Sequence, residues 1–167
     1  EGKDPVGATP KVDPGPWKLD PYEKSDKYQA LRNLLANQTK EKLVPALENT
    51  MKKLEDAGLR GMGGAGFPTG LKWKIVREAT GFPKYVICNA DESEPGTFKD
   101  RVILESLPHL LVEGMIMAGL VIGSEKGIIY LRHEYDHVLE TLERALDDVR
   151  REGLLGTNIL GTGRSFD

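Results

Sequence analysis

Apolar positions in the first third of the chain recur at helical spacing. Leu43, Leu47, Met51 and Leu54 stand four, four and three residues apart, with Lys, Glu and Asp between them. That is the pattern of a helix with one buried face. It predicts a helix over about Lys40–Ala57, preceded by one over about Ser25–Ala36. Gly58 falls where a helix C-cap glycine belongs. A short helix is predicted near Leu71–Ala79. Beyond it, Tyr85–Cys88 is a short apolar, β-branched-rich run bounded by Pro83 and by polar turn residues, which predicts a buried strand. Leu107–Gly123 is almost continuously apolar and reads as a core helix. A second strand is predicted at Gly127–Leu131. An amphipathic helix over Asp136–Arg151 follows, carrying Leu139, Leu142, Leu146 and Val149. Strand and helix alternate after Lys84, so the expected fold class is α/β, a Rossmann-like layered domain with a mostly parallel sheet. The N-terminal helices precede it.

Five of the ten prolines lie in residues 1–21, among glycine, lysine and aspartate with few apolar residues. Such a stretch cannot bury a core and is expected to extend along a neighbour or to act as a linker. The expected organisation is therefore a Pro-rich extended segment over 1–24, helices over 25–57 and an α/β domain over 58–167. Net charge is −3, with 23 basic and 26 acidic side chains interspersed, which gives no nucleic-acid footprint. Cys88 is the lone cysteine of the 167-residue chain, so an intrachain disulfide is excluded. The apolar run from Leu107 contains His109 and Glu113 and is too short to span a bilayer. No direct membrane insertion is expected, and no signal peptide is visible.

The most informative stretch is Gly58–Gly70, where six of thirteen residues are glycine. Glycine lets a backbone take positive φ and bring bare N–H groups close to a ligand. A helix N-terminus behind such a loop, with Lys72 one step inside it, suits a phosphate. Gly61, Gly63 and Gly66 also satisfy G-x-G-x-x-G, but a dinucleotide fingerprint must follow a strand, and what precedes this one is helical. A flexible hinge is the plain alternative, although Phe67 and Pro68 stiffen its middle. The second stretch follows the Tyr85 strand. Asn89, Asp91, Glu92, Ser93 and Glu94 stand at its carboxyl end, where ligands of α/β sheets bind. Three carboxylates there suit hydroxyl- or nitrogen-rich parts of a ligand better than a phosphate. Alone, they would read as a solvated acidic loop. Beside the glycine loop they favour a nucleotide or flavin site.

Gly58–Trp73 and Cys88–Arg101, with His109–Met115 and Ile129–Arg132, resemble the NADH-binding flavoprotein subunit of respiratory complex I. They also resemble its soluble relatives, the diaphorase subunits of NAD-linked formate dehydrogenases and hydrogenases, toward which His133 tilts the resemblance slightly. The resemblance spans about residues 58–167. It implies hydride transfer between NADH and FMN, followed by single-electron transfer to iron–sulfur clusters outside this chain. Carried over by position, it implies that Gly61, Gly63, Gly64 and Gly66 meet cofactor phosphate or ring. Lys72 would face NADH phosphate and Phe67 would stack on adenine. Asn89, Asp91 and Ser93, with Glu92, would hold FMN, and Glu94 would act beside the nicotinamide as the catalytic residue. Met62 replaces a usual arginine, and Ile75 a residue that is often aromatic. The family has a second glycine-rich stretch and a four-cysteine cluster domain beyond the point matched by Asp167. The chain is thus expected to be an N-terminal piece whose α/β domain is incomplete. Implied partners are iron–sulfur subunits, including a small thioredoxin-like one. The implied location is cytoplasmic, or peripheral on the cytoplasmic or matrix side of a membrane complex.

Two rival readings remain on the residues. His133-Glu134-Tyr135-Asp136-His137 satisfies the H-E-x-x-H zinc-protease motif, which needs both histidines on one face of a single helix. Here His133 follows a predicted strand directly, so the pair is expected to straddle a strand end and a helix start. The other rival is a cofactor-free docking fragment of a multisubunit oxidoreductase. His109, Trp17 and Trp73 read as packing residues.

Overall fold

The computed structural model describes residues 28–36 and 40–167. The Pro-rich segment over 1–24, Trp17 and the predicted helix start at Ser25 lie outside them. In chain order the elements are α1 (Gln29–Leu35), α2 (Lys40–Asp56), α3 (Thr69–Glu78), β1 (Tyr85–Ala90), α4 (Lys99–Ser106), α5 (Pro108–Ile122), β2 (Lys126–Leu131) and α6 (Asp136–Arg151). Each predicted element in this span is present. One was not foreseen: α4, whose residues run on from the acidic stretch and whose Leu104 alone is buried.

Helix α5 is apolar nearly all round, and such a helix must be covered on every side. On one side lie Leu31, Leu35, Leu43, Leu47 and Met51 from α1 and α2. On another lies the sheet, and Val149, Leu154, Ile159 and Phe166 complete a single core around Ile116 and Val121. Even the polar groups of α5 are enclosed. His109 is fully buried, with the Tyr28 hydroxyl 3.1 Å from its Nδ1, and Glu113 Oε1 accepts a hydrogen bond from the Leu31 backbone N–H. The reading of His109 as a core histidine therefore holds. At its far end α5 terminates on Gly123 in the left-handed region, φ 77°. The Arg77 guanidinium, reaching over from α3, donates to the Val121 carbonyl at 2.7 Å.

Strands β1 and β2 pair in parallel, Tyr85 opposite Lys126 through Ala90 opposite Leu131. The buried Ser124 Oγ lies 2.8 and 2.9 Å from the carbonyl oxygens of Lys84 and Lys126, which share its one proton and tie the two strand starts together. The inner face of the sheet, Val86, Cys88 and Ile129, packs on the core. The expectation of a buried β1 needs correction. Tyr85, Ile87, Ile128 and Tyr130 point to the other face and are exposed, Ile87 by 64%. Successive strand residues alternate between faces, and helices among the described residues cover only one of them. Asp167 accepts from the Gly127 N–H and donates to the Glu125 carbonyl, flanking β2 in the parallel sense.

In α6 the inward stripe is Val138, Leu142, Ala145 and Val149, while Leu139 is exposed by 45%. The expected stripe is therefore right at Leu142 and Val149, holds at Leu146, which is partly buried against the core, and is one position off at its start. Val138, Leu142 and Tyr135 form a second small core with Ala90 and Leu104. Helix α4 is thereby pinned against α6, and no single helix among the described residues is long and apolar enough to cross a membrane.

Two glycines of α5 give a paired test of this packing. A Cβ at Gly119 would overlap the Phe166 ring, whereas nothing lies within 4 Å of one at exposed Gly114. Gly114→Ala should raise stability by up to about 1 kcal/mol through helix propensity. Gly119→Ala should lower it, because overpacking costs about 1–3 kcal/mol and exceeds that gain. Thermal unfolding of the two variants should show shifts of opposite sign.

Candidate functional site

The glycine loop grows out of the end of α2. Gly58 takes φ +62°, its N–H bonds to the Glu55 carbonyl, and the Leu59 N–H bonds back to Leu54. This is a Schellman end, as the C-cap reading of Gly58 required. The chain then leaves and returns as a short lobe. Thr69 N–H bonds to the Leu59 carbonyl and Gly61 N–H to the Phe67 carbonyl, each at 2.9 Å. The Arg60 guanidinium braces the lobe from its side by donating to the Gly66 carbonyl at 3.0 Å. Above this brace, the N–H groups of residues 62–66 have no protein acceptor among the described residues. Gly64 and Gly66 carry φ of +98° and +59°, values that side chains rarely adopt. At the base, Gly70 is buried against α2, and a Cβ there would lie 2.6 Å from Glu55 Cγ and 3.0 Å from the Met51 carbonyl. The lobe is a hydrogen-bonded turn seated on a helix pair, which disfavours the hinge reading.

Opposite the lobe stands the carboxyl end of β1. Asn89 Oδ1 accepts from the Asp91 N–H, Ser93 Oγ donates to Asp91 Oδ1 at 2.7 Å, and the Thr97 hydroxyl donates to the Glu94 carbonyl. Asp91, Ser93 and Glu94 are exposed; Glu92, between them, is buried. Both walls border one cavity of about 610 Å³, lined by Met62, Gly63, Gly64, Asn89, Asp91, Glu92, Ser93, Glu94, Thr97, Lys99 and Asp100. That volume lies within the usual range of ligand sites, about 300–1,000 Å³. Gly61, Gly66, Phe67 and Lys72 do not line it. Phe67 lies exposed on the returning arm of the lobe and Lys72 is exposed on the first turn of α3. A second cavity of about 300 Å³, between α5, β2, α6 and Phe166, is mostly apolar and lies away from both loops.

Several residues at the site carry no motif that a sequence reading could use. The Glu92 carboxylate accepts from the N–H groups of Asp100 and Arg101 at 3.0 and 3.2 Å and from the Tyr135 hydroxyl at 3.0 Å. Lys99 Nζ stands 3.8 Å away. Burial by itself would push this carboxyl up; the hydrogen bonds from Asp100, Arg101 and Tyr135 and the charge of Lys99 outweigh it and hold the group below the usual range. Tyr135 is pushed up by its burial and by the Glu92 charge. The guanidinium groups of Arg101 and Arg132 lie 5.9 and 5.7 Å from the centre of its ring. Arg132 also donates to the Glu92 carbonyl and pairs with Glu134, whose carboxyl it draws down to about 2.

The two histidines of the H-E-x-x-H pattern sit apart in chain geometry. His133 lies in a single 3₁₀ turn, Nδ1 4.0 Å from Asp136, with its side chain 93% exposed. His137 lies in α6 and its Nε2 is 3.0 Å from Glu105. The pattern straddles a strand end and a helix start, as its position in the sequence implied. The Glu134 carboxylate is engaged with Arg132.

A parallel α/β layer with a glycine lobe and a polar strand end across one cavity is the architecture of a nucleotide- or flavin-binding domain. The relatives make the class specific. The model of the Nuo51 FMN-binding domain matches residues 54–163, and the chain belongs to that family. It is 45% identical over 148 residues to an NADH-quinone oxidoreductase subunit of Rhizobium meliloti, covering 89% of this chain and 34% of that protein. It is 53% identical over 121 residues to the alpha subunit of the NAD-reducing hydrogenase HoxS of Cupriavidus necator, covering 72% and 20%. Among solved structures it is similar to a chain of an NAD⁺-reducing [NiFe]-hydrogenase in the H₂-reduced state. The TM-score there is 0.60 at 50% identity, covering 63% of this chain and 18% of that one. The chain spans about a third of the length of the Rhizobium relative.

The Tyr135–Glu92 bond gives a pH test. Glu92 has a depressed pKa, so its contribution to stability is full above the ordinary carboxyl value of 4.5. That contribution is lost as pH falls through the lower, folded value. Tyr135→Phe removes one bond to the ionised form. Its destabilisation should therefore be largest above about pH 4.5 and shrink in acid. Unfolding midpoints of both proteins across that range check this; a constant difference would mean the ionised carboxylate is not what Tyr135 serves.

Proposed function

We propose that this chain supplies one side of the site of an NADH-oxidising flavoprotein subunit, in which a hydride passes between NADH and FMN. The observation that carries the reading is the pairing of walls across one cavity. Met62, Gly63 and Gly64, whose N–H groups have no protein acceptor among the described residues, line one side, and Asn89, Asp91, Ser93 and Glu94 line the other. The first wall can take phosphate or ring carbonyl oxygens as acceptors, and the second can accept from ribityl hydroxyls and ring nitrogens. These residues fit FMN and the nicotinamide half of NADH. FMN supplies the chemistry of accepting two electrons as a hydride and releasing them singly.

In this reading Gly61, Gly63, Gly64 and Gly66 keep the lobe backbone low enough for ligand contact. Asn89, Asp91 and Ser93 orient the flavin, and Glu94 places its charge beside the nicotinamide. Phe67 and Lys72, outside the cavity but on the same arm of the lobe and the start of α3, meet the adenosine end of NADH. Ile75, exposed by 53% on α3, adds no aromatic surface, so adenine stacking rests on Phe67. Single electrons then leave to iron–sulfur clusters held outside this chain, since one cysteine cannot ligate a cluster. The partners of such a subunit are iron–sulfur proteins, among them a small thioredoxin-like one. It works in the cytoplasm, or peripherally on the cytoplasmic or matrix face of a membrane complex.

The full-length protein purified with FMN should show flavin absorbance and oxidise NADH with an artificial acceptor. Lys72→Ala should raise KM for NADH with kcat retained. A charge-assisted contact is worth about 1.5–3 kcal/mol, or about 10- to 150-fold in KM. Glu94→Gln should lower kcat instead. Wild-type kinetics in the Lys72 variant would remove Lys72 from the site. Absence of flavin in the wild-type protein, with a peptidase activity abolished by replacing His133 and His137, would replace this reading with the metalloprotease one.

A further inference from the structure

We propose that Glu92 is a positioning residue of the site: its carboxylate does not reach the cofactor but locks the loop over residues 91–98 so that Asp91, Ser93 and Glu94 face the cavity. The inference rests on the functional reading above and adds a role that the residue's place among the cavity-lining carboxylates would hide.

Four observations carry it. Glu92 borders the cavity, yet its side chain is only 2% exposed. Both carboxylate oxygens are engaged, Oε1 by the Asp100 N–H and Oε2 by the Arg101 N–H and the Tyr135 hydroxyl. Those two amides belong to the first turn of α4, where donors have no partner within the helix. The N-cap residue is Phe98, which provides no side-chain acceptor. Glu92 therefore acts as the cap of α4 from across the intervening turn. Lastly, Tyr135 sits on the turn after β2, so one carboxylate joins the end of β1, the start of α4 and the end of β2.

The consequence lies in the exposure pattern of the loop. Asp91, Ser93 and Glu94 are exposed, and Glu92 alone among them is buried. With Glu92 drawn inward, its neighbours turn to the cavity, where Ser93 and Asp91 hold each other through their 2.7 Å bond. Without that anchor, three carboxylates in four residues would repel one another and the loop would splay into solvent. A ligand oriented by Asp91 and Ser93 would then lose its alignment. A misplacement on the order of 1 Å is enough to cost about 100-fold in rate.

The test uses the full-length protein as purified with its FMN. Variants are Glu92→Ala, Glu92→Gln, Tyr135→Phe and the double variant Glu92→Ala with Tyr135→Phe. Readouts are FMN dissociation constant, visible circular dichroism of the bound flavin, KM and kcat for NADH, and the unfolding midpoint. Glu92→Ala should change the flavin dichroism, weaken FMN and lower kcat/KM by about 10- to 100-fold at temperatures where the protein is fully folded. Glu92→Gln, which keeps one acceptor, should recover part of each loss. Tyr135→Phe should act in the same direction, and its effect should vanish in the Glu92→Ala background, since both changes break one network. A lowered unfolding midpoint with unaltered dichroism, FMN affinity and kinetics would overturn the proposal by making Glu92 purely structural. A change in flavin dichroism with Glu92→Gln but none with Tyr135→Phe would also overturn it, as direct contact. If Glu92→Ala does not fold, Tyr135→Phe decides alone, and an unchanged flavin spectrum and kinetics sinks the idea. A wild-type protein without flavin is a different failure, that of the functional reading itself.

Discussion

The enclosure of α5 is the constraint on which the other elements depend. Met115, Ile116, Ala118, Leu120, Val121 and Ile122 leave no solvent-facing side to the second half of that helix. Apolar surface is stabilised at about 25 cal/mol per Å² removed from water, so each flank recruits a cover. Helices α1 and α2 take one flank, the inner face of the sheet a second, and Phe166 wedges against Gly119 and Gly127. The positions of the two glycines are set by this ring, because no larger residue leaves room for it. The site residues are placed as a by-product. Helix α2 must lie along α5, so its C-terminal end and the glycine lobe emerge beside it. Strand β1 must lie on the sheet face of α5, so its polar end emerges at the same margin.

The two walls are held by different means. The glycine wall is backbone: two cross-lobe hydrogen bonds and the Arg60 brace hold it, and its groups without a protein acceptor are amides that cannot change charge. The acidic wall is side chain, held by the Asn89–Asp91–Ser93 chain on its surface and by the Glu92 cluster beneath. In the proposed reading, a ligand with phosphate at one end and hydroxyls along its length would meet a donor surface on one side and an acceptor surface on the other. Uniform charge on both walls would not discriminate in this way.

Helical periods and strand runs are legible in the chain because one-sided burial writes itself as spacing. Leu43, Leu47 and Met51 are buried as their period implies, and Gly58 ends its helix as its position implies. The misreadings have physical causes. Ile87 and Tyr85 look like core residues because apolar composition does not say which face of a sheet is covered. Leu139 competes with Val138 for the stripe because one residue of helix phase is only 100° of rotation. Ala145, the small residue that settles the phase, carries little apolar weight. Helix α4 carries no start signal in the sequence because its first-turn amides are capped by Glu92, seven residues before Lys99, rather than by a capping residue of its own.

Glu92 also shows where residue type stops predicting role. In sequence it is one of three carboxylates in a row of four, chemically equal to Asp91 and Glu94. In the fold it is the member with two backbone amides, a phenol and an ammonium group around it, whereas Asp91 and Glu94 keep their charge toward the cavity. The three groups are sorted by what α4 and the turn after β2 present to them. A carboxylate whose lone pairs are taken by the protein has little left to offer a ligand. One whose lone pairs face open space can accept from ligand hydroxyls. The sorting depends on the partner elements arriving from residues 99–101 and 135, so an acidic loop of identical composition on another scaffold would have no reason to divide its labour this way.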